Sequence, residues 1–235
     1  MTSTTLGNIL ITGGASGLGA ATVKAVRQHG GTPLVLDVNP LPAEFGDDIV
    51  FVQCDLADTD AVEAAVRELA DRVDGQVHGV LTAAGTDACG KLADVSVKDW
   101  ERVIHVNLLG TAAVVRSALP YLKATHGRIV TVASTLGIKA VSDATAYCAS
   151  KFGVIGFTRA LAAELAGEVG VTTLIPGGMH TAFFDNRDDQ YKPPPDAKLN
   201  QPENVAETVI FALTQPAGCE VRELVVCAST ESSWP

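Results

Sequence analysis

Short, continuously apolar runs alternate with longer amphipathic ones along nearly the whole chain. Residues 6–12, 33–36, 49–52, 77–83, 128–133, 171–175 and 223–227 are rich in Val, Ile and Leu and have strand length. Between them, 17–29, 58–73, 95–122, 143–166 and 202–214 carry apolar positions at helical spacing. Gly30 and Gly31 stop the first of these helices, and 95–122 reads as one or two helices closed near Pro120. Continuously apolar strands that alternate with helices predict a parallel sheet covered on both faces. The fold class expected is α/β: one doubly wound, Rossmann-like domain spanning 1–235, with about seven strands.

One stretch breaks the alternation. Residues 177–201 contain Phe183 and Phe184, a run of Asp and Asn, and three consecutive prolines, Pro193 to Pro195. A loop of this length is unusual in a compact domain unless it is functional or disordered. It follows the carboxyl end of a strand, where ligands sit in open α/β sheets. It is therefore expected to be a substrate loop.

Composition narrows the function classes. The chain has 235 residues, 47% hydrophobic and 19% charged, which is globular usage. A formal net charge of −10 disfavours nucleic acid and anionic membranes as partners. No apolar run reaches membrane-spanning length, and residues 1–14 lack the basic start of a leader. A cytoplasmic location is expected. The five cysteines, Cys54, Cys89, Cys148, Cys219 and Cys227, are scattered without CxxC spacing, which points to reduced thiols rather than disulfides or a metal site.

The chemistry-bearing residues fall into three segments. Thr12 to Gly19 reads TGGASGLG between a strand and a helix, so Gly13, Gly17 and Gly19 permit a tight turn and a close approach to a pyrophosphate at the helix amino end. Asp37, eighteen residues beyond Gly19 at the end of the second strand, is placed to accept hydrogen bonds from adenosine ribose hydroxyls. Val38 offers no arginine for a 2′-phosphate, so NAD is expected over NADP. Tyr147 and Lys151 stand four residues apart and share one helix face. An adjacent ammonium favours a phenolate and lowers the phenol pKa. Ser134 closes the apolar run thirteen residues before Tyr147.

Taken together these segments resemble the short-chain dehydrogenase/reductase family over almost the whole chain. The resemblance rests on TGxxxGxG at Thr12 to Gly19, including Ser16 and Leu18, and on Asp55-Leu56 at the third strand's end. It extends to Ala84 and Gly85 after strand four, to Asn107, Ser134, Tyr147 and Lys151, and to Pro176-Gly177 followed by Thr181. It implies an NAD-dependent oxidoreductase acting on CH–OH groups, a homo-oligomer (dimer or tetramer). Tyr147 would be the general acid/base, Ser134 would hold the substrate oxygen, and Lys151 would bind the nicotinamide ribose and lower the Tyr147 pKa. Asn107 would seat a water of the proton relay, Asp55 and Leu56 would lie beside the adenine, and Thr181 would meet the carboxamide. The family's NNAG or NAAG turn appears here as Thr82-Ala-Ala-Gly85, and Thr82 is expected to hydrogen-bond a neighbouring backbone group instead.

Pocket walls are expected from Thr86 and Asp87, from 136–141 and from 180–184, most of them apolar. This favours a lipophilic secondary alcohol or ketone as the small-molecule substrate. Arg187 and Lys192 would admit an anionic or acyl-thioester (3-oxoacyl) substrate if they folded inward. Two other readings share the scaffold: a non-catalytic NAD-binding regulator, and an epimerase or dehydratase. His180 sits at pocket distance in this reading, whereas His105, Cys148 and Trp100 read as structural.

Overall fold

The computed structural model describes residues 6–46, 48–231, 233 and 234. Seven strands, β1 (Asn8–Thr12), β2 (Thr32–Asp37), β3 (Val50–Gln53), β4 (Gly79–Thr82), β5 (Arg128–Val132), β6 (Gly170–Pro176) and β7 (Glu223–Val226), form one sheet. Its order is β3-β2-β1-β4-β5-β6-β7, and every pairing is parallel. Residues 1–5, part of the 1–14 stretch in which no basic leader start is expected, lie outside the described residues.

Alternation along each strand divides the core. In β1, Leu10 faces the side covered by α2 (Thr59–Asp71), α4 (Thr111–Thr125) and α5 (Thr145–Glu164). Ile9 and Ile11 face α1 (Gly17–Gln28) and α6 (Pro202–Leu213). Because successive side chains point to opposite faces, a strand covered on both sides must be apolar throughout. The helix starts follow local chemistry: the Asp58 carboxylate accepts from the Ala61 amide at 3.0 Å at the head of α2, and Pro202 occupies the first turn of α6.

The region 95–122 departs from expectation. Helix α3 (Val97–Ile104) passes through a π-helical turn, His105–Gly110, directly into α4, which runs beyond Pro120 to Thr125. Proline removes one helical donor, but Pro120 is exposed, so the Arg116 carbonyl that loses its partner stands on the solvent side. The helix stops at His126, which takes a left-handed conformation (φ 51°). The continuous 97–125 helix is long and apolar enough to cross a membrane by length and composition; here it packs on α2, α5 and the sheet. His105 is exposed at the head of the π turn, with no side-chain hydrogen bond among the described residues, rather than a satisfied structural histidine.

Candidate active site

The carboxyl ends of β1 and β4 diverge where the strand order reverses, and the glycine turn fills that crevice. Gly13 has φ 72°, and a β-carbon on it would lie 2.8 Å from the Ala84 backbone. On Gly19 a β-carbon would fall 2.0 Å from the Gly13 carbonyl oxygen, so the turn closes only with glycine there. The Thr12 hydroxyl accepts from the Ala84 amide at 3.1 Å and ties the turn to the end of β4. At the head of α1, Ser16 makes no side-chain cap and the first turn holds no acid, while Leu18 is buried. Free amides and an unopposed helix dipole make this an anion seat.

Asp37 is 7% exposed, and both its oxygens already accept backbone amides, Ala15 at 2.9 Å and Asn39 at 2.8 Å. The carboxylate is thereby held at the mouth of the glycine turn with lone pairs to spare. Asp55 accepts from the Ala57 amide and pairs with Arg102 at 3.1 Å, contacts that hold its carboxyl below the usual range against the opposing pull of burial. Leu56 is buried against Gly110. The turn, Asp37 and Asp55-Leu56 thus line one edge of the crevice, and the residues present fit a dinucleotide.

Asn107, Ser134, Tyr147 and Lys151, expected from the sequence to handle the proton, meet at the ends of β4 and β5. Asn107, 1% exposed, lies in the π turn; its Oδ1 accepts from the Thr86 amide at 2.8 Å, and its Nδ2 donates to the Thr86 carbonyl and to the Ser150 hydroxyl. Gly85 leaves the space between Asn107 Oδ1 and Lys151 Nζ, which would be 3.5 and 3.8 Å from a β-carbon there. Lys151 is 4% exposed, donates to the Val132 carbonyl at 2.9 Å and lies 5.5 Å from the centre of the Tyr147 ring. Ser134 Oγ accepts from the Leu136 amide at 3.1 Å and lies beside the Tyr147 phenol.

Electrostatics in this cluster differ from the sequence expectation. Burial, followed by the charge of Asp87, pushes the Tyr147 phenol above its ordinary value; the Ser134 hydrogen bond and Arg187 oppose this but do not win. Burial brings Lys151 down to about 8, with Asp87 opposing. The phenol is raised, not lowered, because desolvation outweighs the Ser134 hydrogen bond and the Arg187 charge, and Lys151 is not among the groups that move it.

The 177–201 loop contains two short 3-10 turns, Ala182–Phe184 and Asp189–Tyr191, and is pinned to itself by a bridge between Met179 and Asn200. Phe183 stacks 5.7 Å from the Tyr147 ring. Arg187 folds inward: its guanidinium lies 5.2 Å from the Phe183 ring and 4.6 Å from that of Phe184, and pairs with Asp87 at 2.6 Å. Lys192 instead pairs with Asp189 on the outside. Thr181 lies against Gly17, and His180 is exposed, lining a 280 Å³ cavity with Thr181, Phe184 and Lys192. Pro176 ends β6, and the Gly177 amide donates to the Val226 carbonyl at 3.0 Å. Cys148 is buried as packing, and Trp100 donates to Thr145 at the head of α5.

Three features were invisible in the sequence. The Thr82 hydroxyl is buried without a hydrogen-bond partner among the described residues, so the backbone bond expected of it is not made. The Asp87–Arg187 pair joins residues one hundred positions apart. Glu231, in the polar tail, accepts from the Gly178 amide at 3.0 Å and from Ser233, whose hydroxyl lies 2.6 Å from that of Thr135, beside Ser134.

Comparisons with known proteins agree with this arrangement. The sequence model of the short chain dehydrogenase family matches residues 7–192. A short-chain dehydrogenase/reductase of Penicillium canescens, olcF, is 31% identical over 226 residues, covering 86% of this chain and 88% of its own. The (2S)-[(R)-hydroxy(phenyl)methyl]succinyl-CoA dehydrogenase subunit BbsD of Thauera aromatica is 32% identical, covering 89% and 90%. An alcohol dehydrogenase of Thermococcus sibiricus, solved with 5-hydroxy-NADP, superposes with a TM-score of 0.84 at 24% identity, covering 95% of this chain and 97% of its own. Levodione reductase gives 0.84 at 25% identity, covering 95% and 96%. With its parallel seven-stranded sheet and glycine turn, the chain belongs to the short-chain dehydrogenase/reductase family of oxidoreductases.

Proposed function

We propose that this protein is an NAD(H)-dependent oxidoreductase that interconverts a secondary alcohol and a ketone, with Tyr147 as general acid/base. The observation that carries the reading is the convergence of Ser134, Tyr147 and Lys151 beside the glycine turn. A bound nicotinamide would supply hydride exchange, and the protein's part is orientation and proton handling. The Ser134 hydroxyl lies beside the phenol and is placed to hold the substrate oxygen. A phenol raised by burial is protonated at neutral pH, which suits proton donation to a ketone oxygen during reduction. Lys151 and Asn107 flank Gly85, where a ribose hydroxyl and a relay water would be bound.

Gly13, Ser16, Gly17, Leu18 and Gly19 are proposed to cradle the pyrophosphate, Asp55 and Leu56 to border the adenine, and Ala84 and Gly85 to line the cofactor between them and Lys151. Pro176, Gly177 and Thr181 would border the nicotinamide. Support for NAD comes from Asp37, whose buried carboxylate would repel a 2′-phosphate with no neighbouring arginine to offset it. The phenyl rings of Phe183 and Phe184 support a lipophilic substrate. Phe152 and Leu109 stand 45% and 42% exposed on α5 and the π turn, in keeping with a dimer or tetramer, which sedimentation at micromolar concentration would test. A cytoplasmic location is part of the same proposal.

The test is NADH oxidation across a panel of ketones, with NADPH and Tyr147→Phe in parallel. Turnover that falls by about 100-fold or more in the variant, with NADH binding retained, is the expected result. Tight NADH binding without turnover of any ketone would favour the regulator instead.

A further inference from the structure

The substrate loop brings an arginine into the pocket, yet that arginine is already spoken for. Arg187 Nη2 donates to Asp87 Oδ2 at 2.6 Å, and Nη1 donates to the Tyr191 carbonyl at 3.2 Å. Phe183 and Phe184 both lie within stacking distance of the guanidinium, and its Nε is buried with no partner among the described residues. Asp87 is equally committed: besides Arg187 it accepts from the Cys89 thiol at 3.2 Å and the Ala88 amide at 2.7 Å. The two side chains are only 18% and 7% exposed. The Phe183 ring touches both Arg187 and the Tyr147 ring.

Arg187 is the inward-folded cation placed to meet an anionic group on a substrate, since Lys192 pairs with Asp189 on the outside. Taking it would strand Asp87 as an unpaired, desolvated carboxylate a short distance from a second anion, and removing one partner of a buried pair is costly. An uncharged group disturbs neither charge. Resting on the oxidoreductase reading above, we propose that the Asp87–Arg187 pair makes this pocket selective for uncharged ketones and alcohols, with Asp87 as the residue that rejects substrate carboxylates. The arginine that would otherwise clamp an acid is switched off by its neighbour, so selectivity lies in the carboxylate rather than in the cation. The apolar rings beside the pair point the same way.

The test compares ketones matched in all but charge, pyruvate, 3-oxobutanoate and 4-oxopentanoate against their ethyl esters, by calorimetric binding to the NADH-loaded protein and by NADH oxidation. In the wild type the esters should bind at least about 30-fold more tightly than the acids. Asp87→Asn should narrow that ratio by about tenfold or more, and adding Arg187→Gln should restore it. Equal or better binding of the acids by the wild type overturns the proposal, as does a ratio unmoved in Asp87→Asn or a failure of both ligand sets to bind. If Asp87→Asn does not fold, the wild-type ratio alone decides. Binding without turnover would sink the oxidoreductase reading while the ratio still judges this one.

Discussion

Asn107 Nδ2 donates to the Ser150 hydroxyl at 3.0 Å, and Ser150 in turn donates to the Tyr147 carbonyl at 2.8 Å. The π turn is thereby bolted to the helix that carries Tyr147 and Lys151, one residue before the lysine. Ser150→Val removes the acceptor and leaves a buried amide donor unpaired, at a cost of about 1–3 kcal/mol. Denaturant melts should show the loss, and NADH turnover should fall further than NADH affinity.

Under the proposed function, Asp37 governs cofactor choice. Asp37→Ser should weaken NADH binding by about tenfold or more, since charge-assisted hydrogen bonds are worth about 1.5–3 kcal/mol. NADPH binding should hold or improve. Fluorescence titration of both cofactors against both proteins checks this; unchanged discrimination would remove Asp37 from the cofactor site.

Burial holds Lys151 at about 8, below its ordinary 10.5. Between those values the unfolded chain binds more protons than the folded one, so this residue's contribution makes stability rise with pH from about 8 towards 10.5. Thiols work in the opposite sense: Cys54, Cys89 and Cys227 are raised from 9.0, chiefly by burial, and cost stability above that pH. The difference between wild type and Lys151→Met cancels the thiols. Chemical melts at pH 7, 8, 9 and 10 should show wild-type stability gaining on the variant as pH rises.

Thr82 invites a stabilising change. Its hydroxyl is buried with no hydrogen-bond partner among the described residues, so the near-isosteric Thr82→Val should gain about 1 kcal/mol. That corresponds to a rise of about 2–4 °C in melting temperature for a chain of this size. A fall would mean that the hydroxyl has a partner in solution.

What could be read from sequence was local. The strands, the glycine turn and the Tyr147/Lys151 helix face each depend on residues within a few positions of one another, where periodicity and turn chemistry speak directly. Pro120 was read as a stop because proline ends most helices; only its exposed position in α4 explains why this helix continues. The Asp87–Arg187, Asn107–Ser150 and Gly178–Glu231 contacts span 100, 43 and 53 residues. Such pairings arise from strand order, which no single segment encodes. The sign of the Tyr147 shift escaped for a related reason: the ammonium is visible as a neighbour in the helix, whereas desolvation is a property of the assembled site.

Glu231 bears on how the protein is made. Its carboxylate fastens the Gly178 amide beyond β6, and β7 closes the sheet edge that supports the same turn. A ribosome delivers the glycine turn first and this clasp more than two hundred residues later. During synthesis the growing chain therefore holds a cradle for one half of the site before the other half has a frame, and the two are joined only once the segment carrying Glu231 has been made.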